Sequence, residues 1–146
     1  VVNPGNYKVL FGTNQNELIE AAGGLKEGCE KVISGGPMMG FAMYTTDTPI
    51  TKTSSSILCM SKDEVSACEP TACINCGRCV DACPSRIIPS RLADFAERHD
   101  EEAFLKFNGL ECVECGSCSY VCPAKRQLKQ AIGSMRKTAL ANKKKK

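Results

Sequence analysis

Hydrophobic positions in the first sixty residues fall in short runs broken by Gly, Asn, Thr and Pro, whereas beyond residue 70 they recur at helical spacing between runs of cysteine. The loose alternation of NYKVLFGT, residues 6–13, predicts a strand. Asn16 is placed to cap a short helix over ELIEAA, and Gly23-Gly24 supply the positive φ that ends it. EKVISGGP predicts a second strand running into a glycine-rich turn, TPITKT a third and SSILCM another. Strand, helix and further strands within about sixty residues describe a small α+β sheet of β-grasp size. Residues 61–72 are polar and contain Pro70, which places a domain boundary there. Past it, Ser90 is an N-cap candidate for a helix carrying Leu92, Phe95 and Ala96, and Asp100 caps a further turn or two through Ala103, Phe104 and Phe107, stopped at Asn108-Gly109. Leu128, Ala131, Ile132, Met135, Ala139 and Leu140 form one apolar stripe on a basic helix. No strand signal follows residue 70. The fold expected is α+β: a β-grasp-like domain over 1–60, a connection over 61–72, an all-helical domain over 73–142 and a basic tail over 143–146.

Charge sharpens this division. Residues 1–124 carry ten Lys/Arg against sixteen Asp/Glu, whereas residues 125–146 carry nine Lys/Arg and no acid. A basic appendage on an acidic body is not the pattern of a nucleic-acid binder. No secretory signal is visible, and no run approaches the roughly 20 apolar residues of a membrane helix. Any membrane contact is therefore expected to be peripheral. The chain opens on Val1, and VVNPGNYKVLFGT is expected to be the interior of a longer polypeptide.

Eleven cysteines would suit a disulfide scaffold. An odd count, the absence of an export signal and the spacing argue instead for thiolates committed to metal in a reducing compartment. Cys73, Cys76, Cys79, Cys83 and Pro84 form C-x2-C-x2-C-x3-C-P, and Cys112, Cys115, Cys118, Cys122 and Pro123 repeat it thirty-nine positions on. This is the run that bacterial ferredoxins use for [4Fe–4S] clusters. Three thiolates two residues apart can wrap one face of a cubane if the backbone turns tightly, a freedom that Gly77 and Gly116 supply. In paired runs of this kind the fourth cysteine ligates the other cluster. One cluster is accordingly assigned to Cys73, Cys76, Cys79 and Cys122, and the second to Cys112, Cys115, Cys118 and Cys83. With all eight positions filled by cysteine, the arrangement points to electron transfer rather than to substrate chemistry at an open iron. Zinc ribbons use C-x2-C pairs but do not require a third cysteine two residues on. The intervening segment, with its two helical patterns, is similar to the α-helical ferredoxin module of larger redox enzymes.

Cys29, Cys59 and Cys68 remain. Cys59, in an apolar strand, is expected to pack as a small hydrophobe, and Cys68 is a candidate spare ligand. His99 is expected to be a solvated helix-end residue. SGGPMMG is neither a dinucleotide fingerprint nor a P-loop. Its simplest reading is a sharp turn with Met38 and Met39 plugging core gaps, against a functional reading as a loop lying on a cofactor domain or partner.

The combination of GTNQNELIEAAGGLKEGCEKVISGGPMMG, then TPITKT, then CINCGRCVDACPSRIIPSRL and ECVECGSCSYVCPAKRQLKQ closely resembles the C subunit of the Rnf-type electron-transport complex, over essentially the whole chain as its C-terminal part. The resemblance implies a soluble-ligand-binding β-grasp (SLBB) domain followed by a helical domain holding two [4Fe–4S] clusters. It implies a relay of electrons between ferredoxin and NAD, peripheral at the cytoplasmic face of a membrane complex that translocates Na⁺ or H⁺. It also implies other members of the complex as partners, one of them an iron–sulfur protein, and no nucleic acid. FMN and NADH are expected only in an N-terminal domain outside this segment, so the segment carries electrons without a nicotinamide site. Two other readings stay open: the helical ferredoxin module of a soluble reductase, which would lack the β-grasp lead-in, and a structural zinc or ligand-binding module without a redox role.

Overall fold

The computed structural model describes residues 1–63 and 67–144. The chain divides into two compact units, Val1–Ala67 and Cys68–Lys146.

In the first unit, helix α1 (Gln15–Ala21) precedes three short strands, β1 (Lys31–Ser34), β2 (Phe41–Ala42) and β3 (Ile57–Met60). The sheet is antiparallel in the order β2-β1-β3, with Val32 opposite Cys59 and Ile33 opposite both Leu58 and Ala42. The cap of α1 is Asn14, not Asn16: the Asn14 side chain accepts from the Asn16 N–H, while Asn16 itself is hydrogen-bonded to Thr46. Capping two residues earlier adds Gln15 and Asn16 to the helix. Gly23 and Gly24 follow it with φ of 83° and 80°. Among the described residues of this unit, Ile19, Ala22, Ile33 and Ile50 are the buried apolar side chains. Lys31 at the start of β1 is ion-paired with the buried Asp63, whose N–H donates to the Glu30 carboxylate at 3.1 Å.

Two expected strands do not form. Residues 6–13 have no ladder partner among the described residues, and Leu10 and Phe11 are largely exposed. TPITKT contributes only a single bridge, Asn14 to Pro49. Alternation predicts which residues would suit a strand, but a strand exists only where a neighbouring backbone accepts its hydrogen bonds. The two-residue β2 lies where no strand was expected, because the glycine-rich turn returns the chain onto β1 through Gly40 N–H to Gly36 O at 2.8 Å. That turn holds Met38 and Met39 outward, 43% and 62% exposed, so they do not plug the core.

The second unit contains no strand among its described residues. Helices α2 (Arg78–Asp81), α3 (Pro89–Glu97), α4 (Glu101–Lys106), α5 (Ser117–Tyr120) and α6 (Leu128–Lys144) follow one another, with a 3₁₀ turn at Gly109–Glu111. α3 begins at Pro89, where the missing N–H costs nothing, and Ser90 lies inside the helix instead of capping it. Asp100 caps α4 by accepting from the Ala103 N–H at 2.9 Å. Leu92, Ala93, Phe104, Leu128, Ile132 and Met135 form the core between α3, α4 and α6. Phe95 and Phe107 meet at its edge with ring centroids 5.0 Å apart. The helix α6 runs through Lys143 and Lys144 of the expected tail; Lys145 and Lys146, like residues 64–66 of the expected connection, lie outside the described residues. No described helix is long and apolar enough to cross a membrane.

Candidate metal centre

Each cysteine run folds in the same way. Gly77 and Gly116, at φ 77° and 85°, turn the chain into the four-residue helices α2 and α5, which carry Cys79 and Cys118. The backbone hydrogen bonds repeat position for position. Val80 and Asp81 donate to Gly77 O as Ser119 and Tyr120 donate to Gly116 O, and Arg86 donates to Cys83 O as Lys125 donates to Cys122 O. Left-handed residues recur at the same places: Asn75 and Glu114, then Arg86 and Lys125, all with φ between 53° and 55°.

Two cavities lie between the runs. One is lined by Cys73, Cys76, Cys79 and Cys122, the other by Cys112, Cys115, Cys118 and Cys83. Each thus takes three thiols from one run and the fourth from the other. Thr71 N–H donates to Ala124 O at 3.0 Å, tying the entry of the first run to the exit of the second. Cys79, Cys83, Cys112 and Cys122 also pack against the α3–α4–α6 core, so both cavities rest on the hydrophobic centre of the unit.

Each donor set is four thiols, a soft set that suits zinc or an iron–sulfur cluster. Four thiolates on one zinc ion would converge to roughly 3.8 Å from one another, given a Zn–S distance of about 2.3 Å. Among the described residues, no three Cys, His, Asp or Glu side chains converge tightly enough to hold a single ion. Four thiols lining one cavity, three of them from a C-x2-C-x2-C run, also suit a cubane with one thiolate for each iron. The residues present fit a [4Fe–4S] cluster in each cavity.

The two cavities differ in environment in ways that spacing could not reveal. Cys73 and Cys76 are exposed, whereas Cys112 and Cys115 are half-buried and Cys118 is buried. Burial pushes the Cys112 thiol up from its ordinary value and the Cys118 thiol up to about 11. Hydrogen bonding to Ser117 pulls Cys115 down. The Glu114 N–H donates to Cys112 Sγ at 3.4 Å. Lys129 reaches the second cavity from α6, and its counterpart at the first is Ser90. Arg126 lines the first cavity and is held by Asp94 and Glu97 of α3, each at 2.9 Å.

Of the remaining candidates, Cys68 is exposed and lines neither cavity. Cys59 is half-buried on β3, close to Cys29, with its thiol pushed up chiefly by burial. His99 is exposed at the end of α3.

Comparison with known proteins covers both units. Residues 72–126 match the family model of the 4Fe-4S dicluster domain, and residues 1–42 match that of the SLBB domain. The chain is 48% identical over 133 residues to the C subunit of the proton-translocating ferredoxin:NAD(+) oxidoreductase complex of Clostridium ljungdahlii, covering 90% of this chain and 29% of that protein. It is 39% identical over 145 residues to the C subunit of the Na(+)-translocating ferredoxin:NAD(+) oxidoreductase complex of Acetobacterium woodii, covering 99% of this chain and 33% of that protein. It is 46% identical over 132 residues to the C subunit of the ion-translocating oxidoreductase complex of Methanosarcina acetivorans, covering 90% and 30% respectively. The chain therefore spans about a third of the length of the curated relatives it matches.

Proposed function

The chain belongs to the C-subunit family of ion-translocating oxidoreductase complexes, and from that premise we propose that its helical unit is a two-cluster electron relay within such a complex. The observation that carries the reading is the lining of two separate cavities by four cysteines each. A [4Fe–4S] cluster, when bound, supplies a one-electron site whose potential the protein sets within roughly −700 to +450 mV. In this reading Cys73, Cys76, Cys79 and Cys122 hold one cluster, and Cys112, Cys115, Cys118 and Cys83 hold the other. Residues 73–142 form the relay module and residues 1–60 its β-grasp lead-in. With every iron corner met by a thiolate, the chain's own groups bind, insulate and tune, and leave no ligand position for substrate. Single electrons pass between a flavin and NADH site elsewhere in the complex and another iron–sulfur protein, at the cytoplasmic face of the membrane.

The test is iron and acid-labile sulfide analysis with cluster-resolved spectroscopy, on the intact chain and on Cys83→Ala, under anaerobic conditions. About eight iron and eight sulfide per chain are expected, as two [4Fe–4S] clusters require. Cys83→Ala is expected to damage the cluster of the second run. Two zinc ions without sulfide would refute the relay, and damage confined to the first run's cluster would refute the crossed ligand sets.

A further inference from the structure

The two cysteine loops share a backbone and differ in a charge. Asn75 lines the first cavity and Glu114, its equivalent thirty-nine positions on, lines the second. Both hold the left-handed conformation, which asparagine tolerates and glutamate seldom adopts. Asn75 is exposed, whereas Glu114 is half-buried and held from two directions. Its Oε1 lies 3.2 Å from Arg136 Nη1, and Arg136 Nε donates to Leu110 O at 3.1 Å. Its Oε2 lies against Gly133 of α6, where a Cβ would come within 3.1 Å of that oxygen. A glycine inside a helix is less favourable than an alanine. Here it leaves room for the carboxylate, whereas the exposed Asn75 meets the Cys73 thiol, its Oδ1 3.8 Å from Sγ.

We propose that the Glu114–Arg136 pair sets the potential of the second cluster, an inference that rests on the reading of the cavities as cluster sites. Reduction adds one electron and no atoms, so it adds negative charge to a site already ringed by thiolates. An uncompensated carboxylate on the cavity wall opposes that electron, and Arg136 cancels the opposition. With the pair half-buried, solvent screens these charges only in part. Lys129, on the wall of the same cavity, supplies a positive charge that stays constant across the variants below. Glu114 and Arg136 are positioning residues that touch the cluster's surroundings and do not ligate it.

The test is a potentiometric titration with dithionite as reductant, following both clusters of the anaerobically reconstituted full chain by electron paramagnetic resonance. Glu114→Gln is expected to shift the reduction equilibrium of the second cluster severalfold toward the reduced form. Arg136→Gln is expected to shift it severalfold the opposite way, and the double variant to return close to the parent. The first cluster should keep its midpoint throughout. Glu114→Asn, which installs the residue found at the equivalent place in the first loop, should behave as Glu114→Gln even if Arg136→Gln impairs assembly. Shifts of one sign in both single variants would overturn the proposal, because a merely structural clamp loosens the loop whichever partner is removed. Unmoved potentials with eight iron and eight sulfide bound would overturn it and leave the relay reading intact. A parent chain that takes up neither iron nor sulfide would refute the relay reading and this inference with it.

Discussion

Gly109, first residue of the 3₁₀ turn that leads into the second cysteine run, has no room for a side chain. A Cβ there would come within 2.2 to 2.4 Å of three atoms of the Phe104 ring, and Phe104 is fully buried, so the ring has nowhere to retreat. Gly109→Ala is expected to cost about 1–3 kcal/mol by overpacking, seen as a lowered thermal midpoint of the cluster-loaded chain by circular dichroism. Residues of this kind mark where sequence reading succeeds and fails. The turns that carry the eight cysteines were legible because their spacing is local: three thiols and a glycine within seven residues already describe a loop. The partnership of Glu114 with Arg136 was not, since its members lie twenty-two residues apart on different elements. Met38 and Met39 were misread because residue type alone cannot tell which side of a tight turn faces inward.

Among the elements, α3 and α6 make the principal packing of the helical unit, with Leu92 fully buried between them. Leu92→Ala is expected to cost about 2–5 kcal/mol, whereas Thr138→Ala on the exposed face of α6 should stay within about 0.5 kcal/mol. Thermal unfolding of the two variants side by side checks the contrast. The helices of this unit were readable from their periodicity, which needs no partner: Leu128, Ile132, Met135 and Ala139 repeat at three- and four-residue intervals and are the buried face. The strands were readable only in part. β1 and β3 pair with each other as four-residue segments, but the equally apolar residues 6–13 find no ladder, and β2 is too short to leave a periodic trace. Long-range pairing decides strands, and one segment's pattern carries no information about it.

At the scale of the molecule, the two units rest on different supports. The sheet unit has its own buried set of Ile19, Ala22, Ile33 and Ile50, whereas both cavities of the helical unit sit on its core, so in the proposed relay cluster binding and folding there would be linked. Removing the iron with a chelator is expected to unfold or loosen residues 68–144 while β1 and β3 keep their amide protection, as hydrogen exchange would report. Loss of protection in both units together would show instead that they fold as one. The two units part between Ala67 and Cys68, inside the stretch 61–72 where composition changes. The reciprocal walls of the two cavities carry a further consequence. Each cavity is completed by a cysteine of the other run, Cys122 standing 43 residues after Cys79 and Cys83 standing 29 residues before Cys112. In the proposed relay, an exchange of these arms between two copies would close four cavities across a dimer, so cluster loading at high protein concentration is the condition under which an entangled dimer would form.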